Sequence, residues 1–460
     1  MPKHIRRSAV VNGAALADMC VVVQLDRSLP TRNDLSEPRF TAGQLTASLE
    51  RIVRGRFAGA GGSTRVGIEI EAIPTRASSG APVMPHADEA GPGTLDVLRA
   101  LAQRNAWREE DTGYEVPRFV LPDGSVISYE PGGQLEWSSA VHEDLVELDG
   151  ALRSVADRLA AAMDEEEIVL LARGIDPITP LDAARQVLTG ERYRRQRLHY
   201  DRIGSAGRAM MLQTAGIHLN IDPGPEPLQA WNAANTIAPL MVAVFANSPK
   251  WAIETTPRRS NRAAIWRRLD PSRTTVFAAS TDPARDYLAF ALGARSFLLG
   301  DPDTESLPFS AWRDSGGSDD DFARHLTTLF PEVRPRGGYL ELRSVDALPA
   351  RMAIVPLGVA QAAMHDASFR ADVVRELPPP TLERLDRAAQ YGLGDSALAA
   401  EARWLVEGVP AALARLLPKS AASRELLGRL ESFFADYTLR GRDPGMSPES
   451  RLASGIVTTI

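Results

Sequence analysis

The sequence is poor in several features, and each shortage excludes a class of protein. Cys20 is the only cysteine among 460 residues, so the chain can form neither an internal disulfide nor a thiolate zinc cluster. The longest apolar run, residues 237–246, is too short to span a bilayer and contains Pro239. The net charge of −7 argues against a general nucleic-acid surface. We therefore expect a cytoplasmic globular protein that has neither a membrane nor nucleic acid as a partner.

Lysine is almost missing as well. Lys3, Lys250 and Lys419 are the only three, so arginine carries nearly all the positive charge. Arginine favours bidentate contact with carboxylates and phosphates, although genome composition can produce the same bias. A Walker loop needs glycine before its lysine, yet Pro418 precedes Lys419. A bound triphosphate would therefore have to be held by metal ions and arginines.

The first 45 residues are expected to differ from the rest of the chain. Residues 1–45 contain many turn-forming residues and predict a partly flexible N-terminal extension. Within it, Arg6 and Arg7 precede the apolar segment 8–17, as they would in a signal peptide. Asn12 interrupts that segment, so the cytoplasmic interpretation is kept.

Periodicity and turn residues predict an α+β fold, because strands and helices mix without regular βαβ alternation. Helices are predicted over residues 41–56, 94–108, 145–163, 227–247 and most of 380–436. Long loops are predicted over 75–93 and 300–320, and the last twenty residues are expected to be frayed. The glycine-rich stretch near residue 60 precedes a strand, which argues against a dinucleotide-binding fold.

Two predicted strand segments carry acids on one face, since successive side chains of a strand point to opposite faces. The strand RVGIEIEAI alternates apolar residues with Glu69 and Glu71. In the hairpin YEPGGQLEW, Glu130 and Glu136 lie six residues apart. Because six is even, both acids share a face if the turn preserves the register.

Two further strands follow the same rule. GIHLNID sets His218 and Asn220 against three apolar residues, and YLELRSVD sets Glu341 and Arg343 against two leucines. On a single strand such a polar face simply meets water. The four faces together, however, hold acids, one histidine and one arginine, with little serine, threonine or lysine among them.

The crowding of acids predicts a metal site if these faces line one cavity. Two carboxylates about 4 Å apart repel by about 4 kcal/mol at an effective dielectric near 20. Such repulsion requires protonated acids or bound cations. Carboxylate oxygens with one imidazole suit Mg²⁺ or Mn²⁺, and Mg²⁺ commonly binds substrate phosphates. The four strands therefore indicate metal–nucleotide chemistry.

The same residues resemble a known family. EPGGQLEWSS is similar to the E-P-G-G-Q-x-E-x-S signature of the plant and proteobacterial type of glutamate–cysteine ligase, a group that includes actinobacterial enzymes of the ergothioneine pathway. The resemblance continues in order over residues 45–375, through VGIEIEA, the segment 192–222, FANSP, SNRAAIWRRLDPSR and YLELRSVD.

That resemblance implies a fold and a reaction. The fold is a curved, mainly antiparallel sheet that forms a funnel with outer helices, similar to glutamine synthetase. The expected domains are a catalytic ligase domain at 46–375 and a helical region at 376–460 packed on it. The reaction joins the γ-carboxylate of L-glutamate to the amino group of L-cysteine with ATP, and it serves ergothioneine or glutathione biosynthesis. Segments 75–93 and 300–320 are the candidates for a closing loop.

Roles also follow from the resemblance. The expected metal ligands are Glu69, Glu71, Glu130, Glu136, His218 and Glu341. The expected catalytic residues are Glu69, Glu136 and Arg343, with Arg343 at the transferring phosphate. The expected substrate-binding residues are Gln134, Met211, Asn220, Arg262, Trp266 and Arg273. His218 stands where the plant pattern usually has glutamine, and a satisfied polar side chain is the alternative interpretation.

Three departures from the family pattern concern the acceptor, the amine-bearing substrate. Trp137, Thr274 and Thr275 replace residues that are usual in the family, and they could reshape the acceptor pocket. The alternatives are a γ-glutamyl ligase for another amino acid or amine, a ligase that uses ammonia, and a non-catalytic binding protein on a ligase fold. The sequence does not determine the oligomeric state.

Overall fold

The computed structural model describes residues 42–58, 62–252 and 254–446, and only the backbone of residues 42–46. Most of the predicted N-terminal extension, its signal-peptide-like segment and the predicted frayed end beyond residue 446 lie outside the described residues.

The described residues form strands of two to eleven residues. They are β1 (Val66–Arg76), β2 (Arg108–Glu110), β3 (Arg118–Val120), β4 (Val126–Tyr129), β5 (Leu135–Ser138), β6 (Ile168–Leu171), β7 (Gly216–Ile221), β8 (Lys250–Trp251), β9 (Glu254–Thr255), β10 (Val333–Pro335) and β11 (Leu340–Asp346).

Helices account for most of the remaining described chain. They are α1 (Ala42–Phe57), α2 (Thr94–Asn105), α3 (Leu145–Asp164), α4 (Glu191–Ile203), α5 (Ala206–Gln213), α6 (Pro227–Val244), α7 (Asn261–Leu269), α8 (Pro283–Gly293), α9 (Phe309–Asp314), α10 (Asp319–Leu326), α11 (Ala350–His365), α12 (Ala367–Glu376), α13 (Leu382–Tyr391), α14 (Ser396–Leu416) and α15 (Ala421–Asp436). Short 3₁₀ turns lie at Gly392–Gly394, Thr438–Arg440 and Pro444–Met446.

One nine-stranded sheet organises the fold, in the order β10-β11-β7-β1-β5-β4-β3-β2, with β6 paired to β1. Every strand pair in it is antiparallel, so the predicted α+β class with an antiparallel sheet is confirmed. The long strand β1 lies between β7 and β5 in its first part and pairs with β6 from Ile73 to Arg76. The loop predicted from residue 75 therefore begins later than expected, because β6 extends the pairing of β1.

The predicted helices are present, with shifted ends. The second helix ends three residues early, because Ala106 adopts a left-handed conformation (φ 55°) and its N–H caps the Ala102 carbonyl. The loop prediction over 300–320 is wrong in part, since α9 and the start of α10 lie within it. Ser318 and Asp321 form a capping box that starts α10 in this acidic stretch.

The apolar face of the sheet packs against α3, α6 and α11. The same hydrophobic core continues into α14 and α15 through Leu413 and Leu430. Gly358 of α11 permits the close approach, since a Cβ there would lie 2.7 Å from the Leu430 side chain. Because one core crosses residue 376, the division into a catalytic domain and a C-terminal region stays a prediction. Within the described part of the chain, every helix is too short or too polar to cross a lipid bilayer.

Candidate active site

The central strand β1 brings the polar faces of three strands together. Glu69 lies opposite His218 of β7, and Glu71 lies opposite Glu136 of β5. Residues directly opposite in an antiparallel pair have Cβ atoms about 5 Å apart on the same face. The alternation read from the sequence therefore places two acids of β1 beside an imidazole on one side and a carboxylate on the other.

The turn between β4 and β5 adds the fourth acid. The Glu130 N–H donates to the Gln134 carbonyl (2.9 Å), so the register of the hairpin continues into the turn and Glu130 shares a face with Glu136. The Gln134 side chain donates to the Thr214 carbonyl (2.9 Å). Gly132 allows this contact, since a Cβ there would lie 2.3 Å from the Leu212 carbonyl oxygen. The predicted substrate residue Gln134 thus holds the turn against α5.

Two overlapping groups of ligand atoms result. One carboxylate oxygen from each of Glu71, Glu130 and Glu136 lies within 4.8 Å of the others. One atom from each of Glu69, Glu136 and His218 meets the same limit. Glu136 belongs to both groups and therefore lies at the centre of the acid cluster, which we define as Glu69, Glu71, Glu130 and Glu136.

His218 is held with one ring nitrogen free of hydrogen bonds. Its Nδ1 lies 2.7 Å from Glu69 Oε2, while Nε2 lies 3.8 Å from Glu71 Oε1. Nε2 is buried and has no hydrogen-bond partner among the described residues. A histidine that donates one N–H to a carboxylate and leaves its other nitrogen unprotonated is the usual form of a metal-bound histidine. The unpartnered Nε2 therefore fits a metal ligand better than a satisfied polar side chain.

Asn220 contacts the carboxylate oxygen of Glu69 that His218 does not use. Its Nδ2 donates to Glu69 Oε1 at 3.1 Å, and its Oδ1 is buried without a partner among the described residues. Asn220 therefore adjoins the acid cluster with an unpartnered acceptor oxygen, and its predicted role in substrate binding stays a prediction.

The acids of the cluster perturb one another. Burial, and then the charges of Glu71 and Glu69, raise the pKa of Glu130 to about 8. Burial, and then Glu69 and Glu130, hold the pKa of Glu136 well above its usual range, although Ser138 donates to it at 3.0 Å. Both shifts show that the metal-free cluster resists full ionisation. A donor set of crowded carboxylate oxygens and one free imidazole nitrogen therefore fits a hard divalent cation.

Glu341 lies among arginines instead. Arg343 contacts one of its carboxylate oxygens, and Arg336 Nε (3.2 Å) and Arg334 Nη1 (3.5 Å) contact the other. Burial opposes ionisation, but these three cations outweigh it and hold the pKa of Glu341 well below its usual range. Glu341 belongs to neither group of ligand atoms found among the described residues. Its predicted metal role stays a prediction, and its observed role is to anchor the arginines.

Arg334 and Arg336 are functional-site residues that the sequence reasoning missed. Register places Arg334 directly opposite Glu341 in the β10–β11 pair. The signal that could have found both arginines is their alternation in VRPRGG, immediately before the strand of Glu341. Only the pairing of β10 with β11 shows that these arginines lie beside Glu341.

Arg343 contacts both Glu341 and two aromatic rings. A register shift between Leu342 and Val345 marks a β-bulge at this point of β11. The Arg343 guanidinium carbon lies 5.1 Å from the Trp266 ring centre and 5.5 Å from that of Phe330. One end of the side chain thus meets Glu341 while its face packs on two rings.

Arg262 and Trp266 both contact Arg343, and their predicted role in substrate binding stays a prediction. Both terminal nitrogens of Arg262 donate to the Arg343 carbonyl at 3.1 Å. Gly216 leaves room for this arginine, because a Cβ there would lie 2.4 Å from its Nη2. Together with Thr274 and Arg343, Arg262 and Trp266 line a small cavity.

Two predicted substrate residues lie elsewhere. Arg273 is completely buried, donates to the Thr328 carbonyl at 2.7 Å, pairs with Asp270 and covers the Phe297 ring at 4.3 Å. Met211 is buried in an apolar cluster. Both are enclosed by protein groups, which supports a structural role rather than the predicted contact with substrate.

Trp137 does not reach the acceptor pocket that was predicted for it. It pairs with Ile70 and Ile127 and lies on the apolar face, next to Leu152 of α3. The period of two that turns Glu136 toward the cluster turns its neighbour into the core.

The acid cluster and the arginines around Glu341, on one antiparallel sheet, are the site of an ATP-dependent carboxylate–amine ligase, the class to which the family match below assigns the chain. The chain belongs to one family of that class: the family model for glutamate–cysteine ligase family 2 (GCS2) matches residues 65–454.

Two curated relatives agree with this membership. The chain is 34% identical over 295 residues to the glutamate–cysteine ligase EgtA of Mycolicibacterium smegmatis, covering 60% of this chain and 68% of that protein. It is 31% identical over 366 residues to EgtA of Mycobacterium tuberculosis H37Rv, covering 74% and 80%. Among solved structures, the bifunctional glutathione synthetase of Pasteurella multocida is similar with a TM-score of 0.48 and 14% identity. That alignment covers 90% of this chain and about half, 52%, of the other.

Proposed function

We propose that this protein joins the γ-carboxylate of L-glutamate to the amino group of L-cysteine and converts ATP to ADP and phosphate, with Mg²⁺ or Mn²⁺ as cofactor. The observation that carries the proposal is the meeting of the acid cluster, the free Nε2 of His218 and Arg343 in a chain of this family.

The chemistry requires activation of a carboxylate. A carboxylate repels an approaching amine, whereas an acyl phosphate offers a neutral carbonyl carbon and a good leaving group. Glutamate therefore first takes the γ-phosphoryl group of ATP, and the amine then displaces phosphate. Phosphoryl transfer depends on alignment and charge neutralisation more than on covalent help from the protein.

The acid cluster and His218 would hold the metal. When bound, a divalent ion neutralises the charges of the polyphosphate and of the glutamate carboxylate. The residues that would hold it are Glu69, Glu71, Glu130, Glu136 and His218. Glu69 also fixes the ring of His218 through Nδ1, and so determines which nitrogen faces the cavity.

Arg343 would stabilise the moving phosphoryl group. Its guanidinium is held by Glu341 at one end and by the rings of Trp266 and Phe330 over its face. Arg262 fixes the backbone carbonyl of the same residue. A donor that is held before reaction needs no reorganisation in the transition state, which is the basis of electrostatic catalysis.

Water must be kept from an acyl phosphate. The segment 75–93 packs over the β4–β5 turn, since a Cβ on Gly133 would lie 3.6 Å from Pro85. This contact supports segment 75–93 over segment 300–320 as the part of the chain that covers the site.

A panel of amines tests the proposal. The purified protein is given ATP, Mg²⁺ and L-glutamate with L-cysteine, other amino acids, or ammonium, and phosphate release and product mass are followed. We expect the highest kcat/KM with L-cysteine. A ligase for another amine would give cysteine less than a tenth of the best value, and a non-catalytic binding protein would release no phosphate with any of them.

A further inference from the structure

A small cavity of about 10 Å³, room for about one water-sized group, borders Arg343. Arg262, Trp266, Thr274, Phe330, Glu332 and Arg343 line it together with neighbouring residues. Since Arg343 borders this cavity and also contacts Glu341, a group bound here lies next to the proposed phosphoryl site.

Glu332 is the one carboxylate in the lining of that cavity. It immediately precedes β10, and its backbone is held by two hydrogen bonds, to the Thr275 carbonyl (2.8 Å) and from the Arg343 N–H (3.0 Å). Its Oε2 accepts from Ser344 Oγ at 2.5 Å. No hydrogen bond within the described ranges uses Oε1, so one oxygen remains available to a ligand.

The surroundings of Glu332 raise the pKa of its carboxyl group and form no ion pair with it among the described residues. Burial raises the pKa of its carboxyl group, while the Ser344 hydroxyl and the charges of Arg267, Arg262 and Arg343 oppose the rise. No ion pair joins Glu332 to any of these arginines among the residues that the structure describes. Arg267 instead pairs with Asp386, and Arg343 pairs with Glu341.

The acceptor needs such a group. An amino acid reaches the enzyme as an ammonium ion, which has no lone pair and cannot attack a carbonyl carbon. A buried carboxylate attracts an ammonium ion and can also take its proton, and its raised pKa brings it closer to the operating pH of a general base.

We propose that Glu332 binds the ammonium group of the acceptor in this cavity and removes one proton from it. This inference rests on the proposed ligase function. Trp266 and Phe330 form the apolar walls of the same cavity. Its volume suits the ammonium group alone, so the rest of the acceptor would extend out of the cavity.

The step balances as follows. Glu332 takes one proton from R–NH₃⁺ and becomes a neutral acid, and the amine lone pair forms a C–N bond with the acyl carbon. The C–O bond to phosphate breaks, and phosphate leaves with that electron pair. The second proton lost by nitrogen goes to the departing phosphate, and Glu332 later returns its proton to water.

The test separates the two half-reactions. ATP labelled with ¹⁸O at the β–γ bridge reports acyl-phosphate formation by positional exchange when glutamate is present and no amine is added. For Glu332→Gln we expect glutamate-dependent exchange within about threefold of wild type, while turnover with L-cysteine falls by about 10²-fold or more. Glu407→Gln, the same exchange on the exposed side of α14, should leave both rates unchanged.

Hydroxylamine provides a chemical control, because it is already unprotonated near neutral pH. Glu332→Gln should therefore use hydroxylamine almost as well as wild type, and Glu332→Asp should recover part of the cysteine reaction. In Glu332→Gln, kcat/KM for cysteine should follow the fraction of unprotonated amine and rise with pH up to the pKa of the cysteine amino group.

Two results would overturn the inference alone: normal turnover of Glu332→Gln with cysteine, or an equal loss with cysteine and hydroxylamine at preserved exchange. Absence of glutamate-dependent exchange in the wild type would instead refute the ligase function, and this inference with it.

Discussion

Binding of Mg²⁺ to the acid cluster should stabilise the fold by an amount set by the Mg²⁺ concentration relative to its Kd. Any pair of its ionised carboxylates at 4.8 Å repels by roughly 3 kcal/mol at an effective dielectric near 20. A cation that binds only the folded state adds about 2.7 kcal/mol at a concentration of 100 Kd. With an unfolding entropy of about 2.1 cal/mol/K per residue, a chain of 460 residues gains about 3 °C in melting temperature.

Glu136→Gln should weaken the stabilisation by Mg²⁺ without destabilising the metal-free protein, because Glu136 belongs to both groups of ligand atoms. Without metal, the variant loses repulsion and should melt no lower than wild type. With Mg²⁺, it should show less than half of the wild-type rise.

Differential scanning calorimetry in chelator and in excess Mg²⁺ measures both effects, with Glu407→Gln as the control that should keep the full rise. The reasoning would be refuted by a Glu136→Gln protein that is clearly destabilised in chelator and still gains about 3 °C in melting temperature from Mg²⁺.

Three further predictions concern single side chains. Arg343→Lys should lower turnover about 10²–10³-fold with little change in the KM for ATP, because a lysine loses the planar fork; a raised KM with normal turnover would contradict this. His218→Gln should raise the Mg²⁺ concentration for half-maximal activity about 10–100-fold, and an unchanged requirement would return His218 to a structural role. Burial lowers the pKa of His325 to about 3, so the unfolded state binds its proton first as pH falls below about 6.5. Wild type should lose about 2 kcal/mol more unfolding free energy than His325→Gln between pH 7 and 5 in urea titrations, and parallel losses would exclude this assignment.

The acid cluster could be anticipated from the sequence because strand alternation is local. Glu69 and Glu71 share a face by their spacing alone, whatever strands pair with β1. Glu130 and Glu136 needed one more condition, a turn that preserves register, and the Glu130–Gln134 pairing meets it. The helices that were predicted are local in the same sense, with errors at ends set by caps such as Ala106. The prediction missed α4, α5 and α7 to α12.

Arg262 and Arg343 were expected from the family resemblance, whereas Arg334 and Arg336 were not, because their contacts depend on the pairing of β10 with β11. Arg334 meets Glu341 only through the β10–β11 register. Arg273 looked like a substrate residue, yet Asp270 and Thr328 enclose it. Glu332 belongs to no sequence motif, and only the cavity beside Arg343 identifies it as a candidate site residue.

The central claim is that the acid cluster and Arg343 activate glutamate for attack by an amine. The most direct measurement is the stoichiometry of a complete reaction with ATP, Mg²⁺, L-glutamate and L-cysteine, followed by mass spectrometry and nucleotide chromatography. The account predicts one ADP, one phosphate and one γ-glutamylcysteine per ATP consumed, with no turnover when glutamate or metal is left out. Release of AMP and pyrophosphate, or ADP formation that does not depend on glutamate, would contradict it.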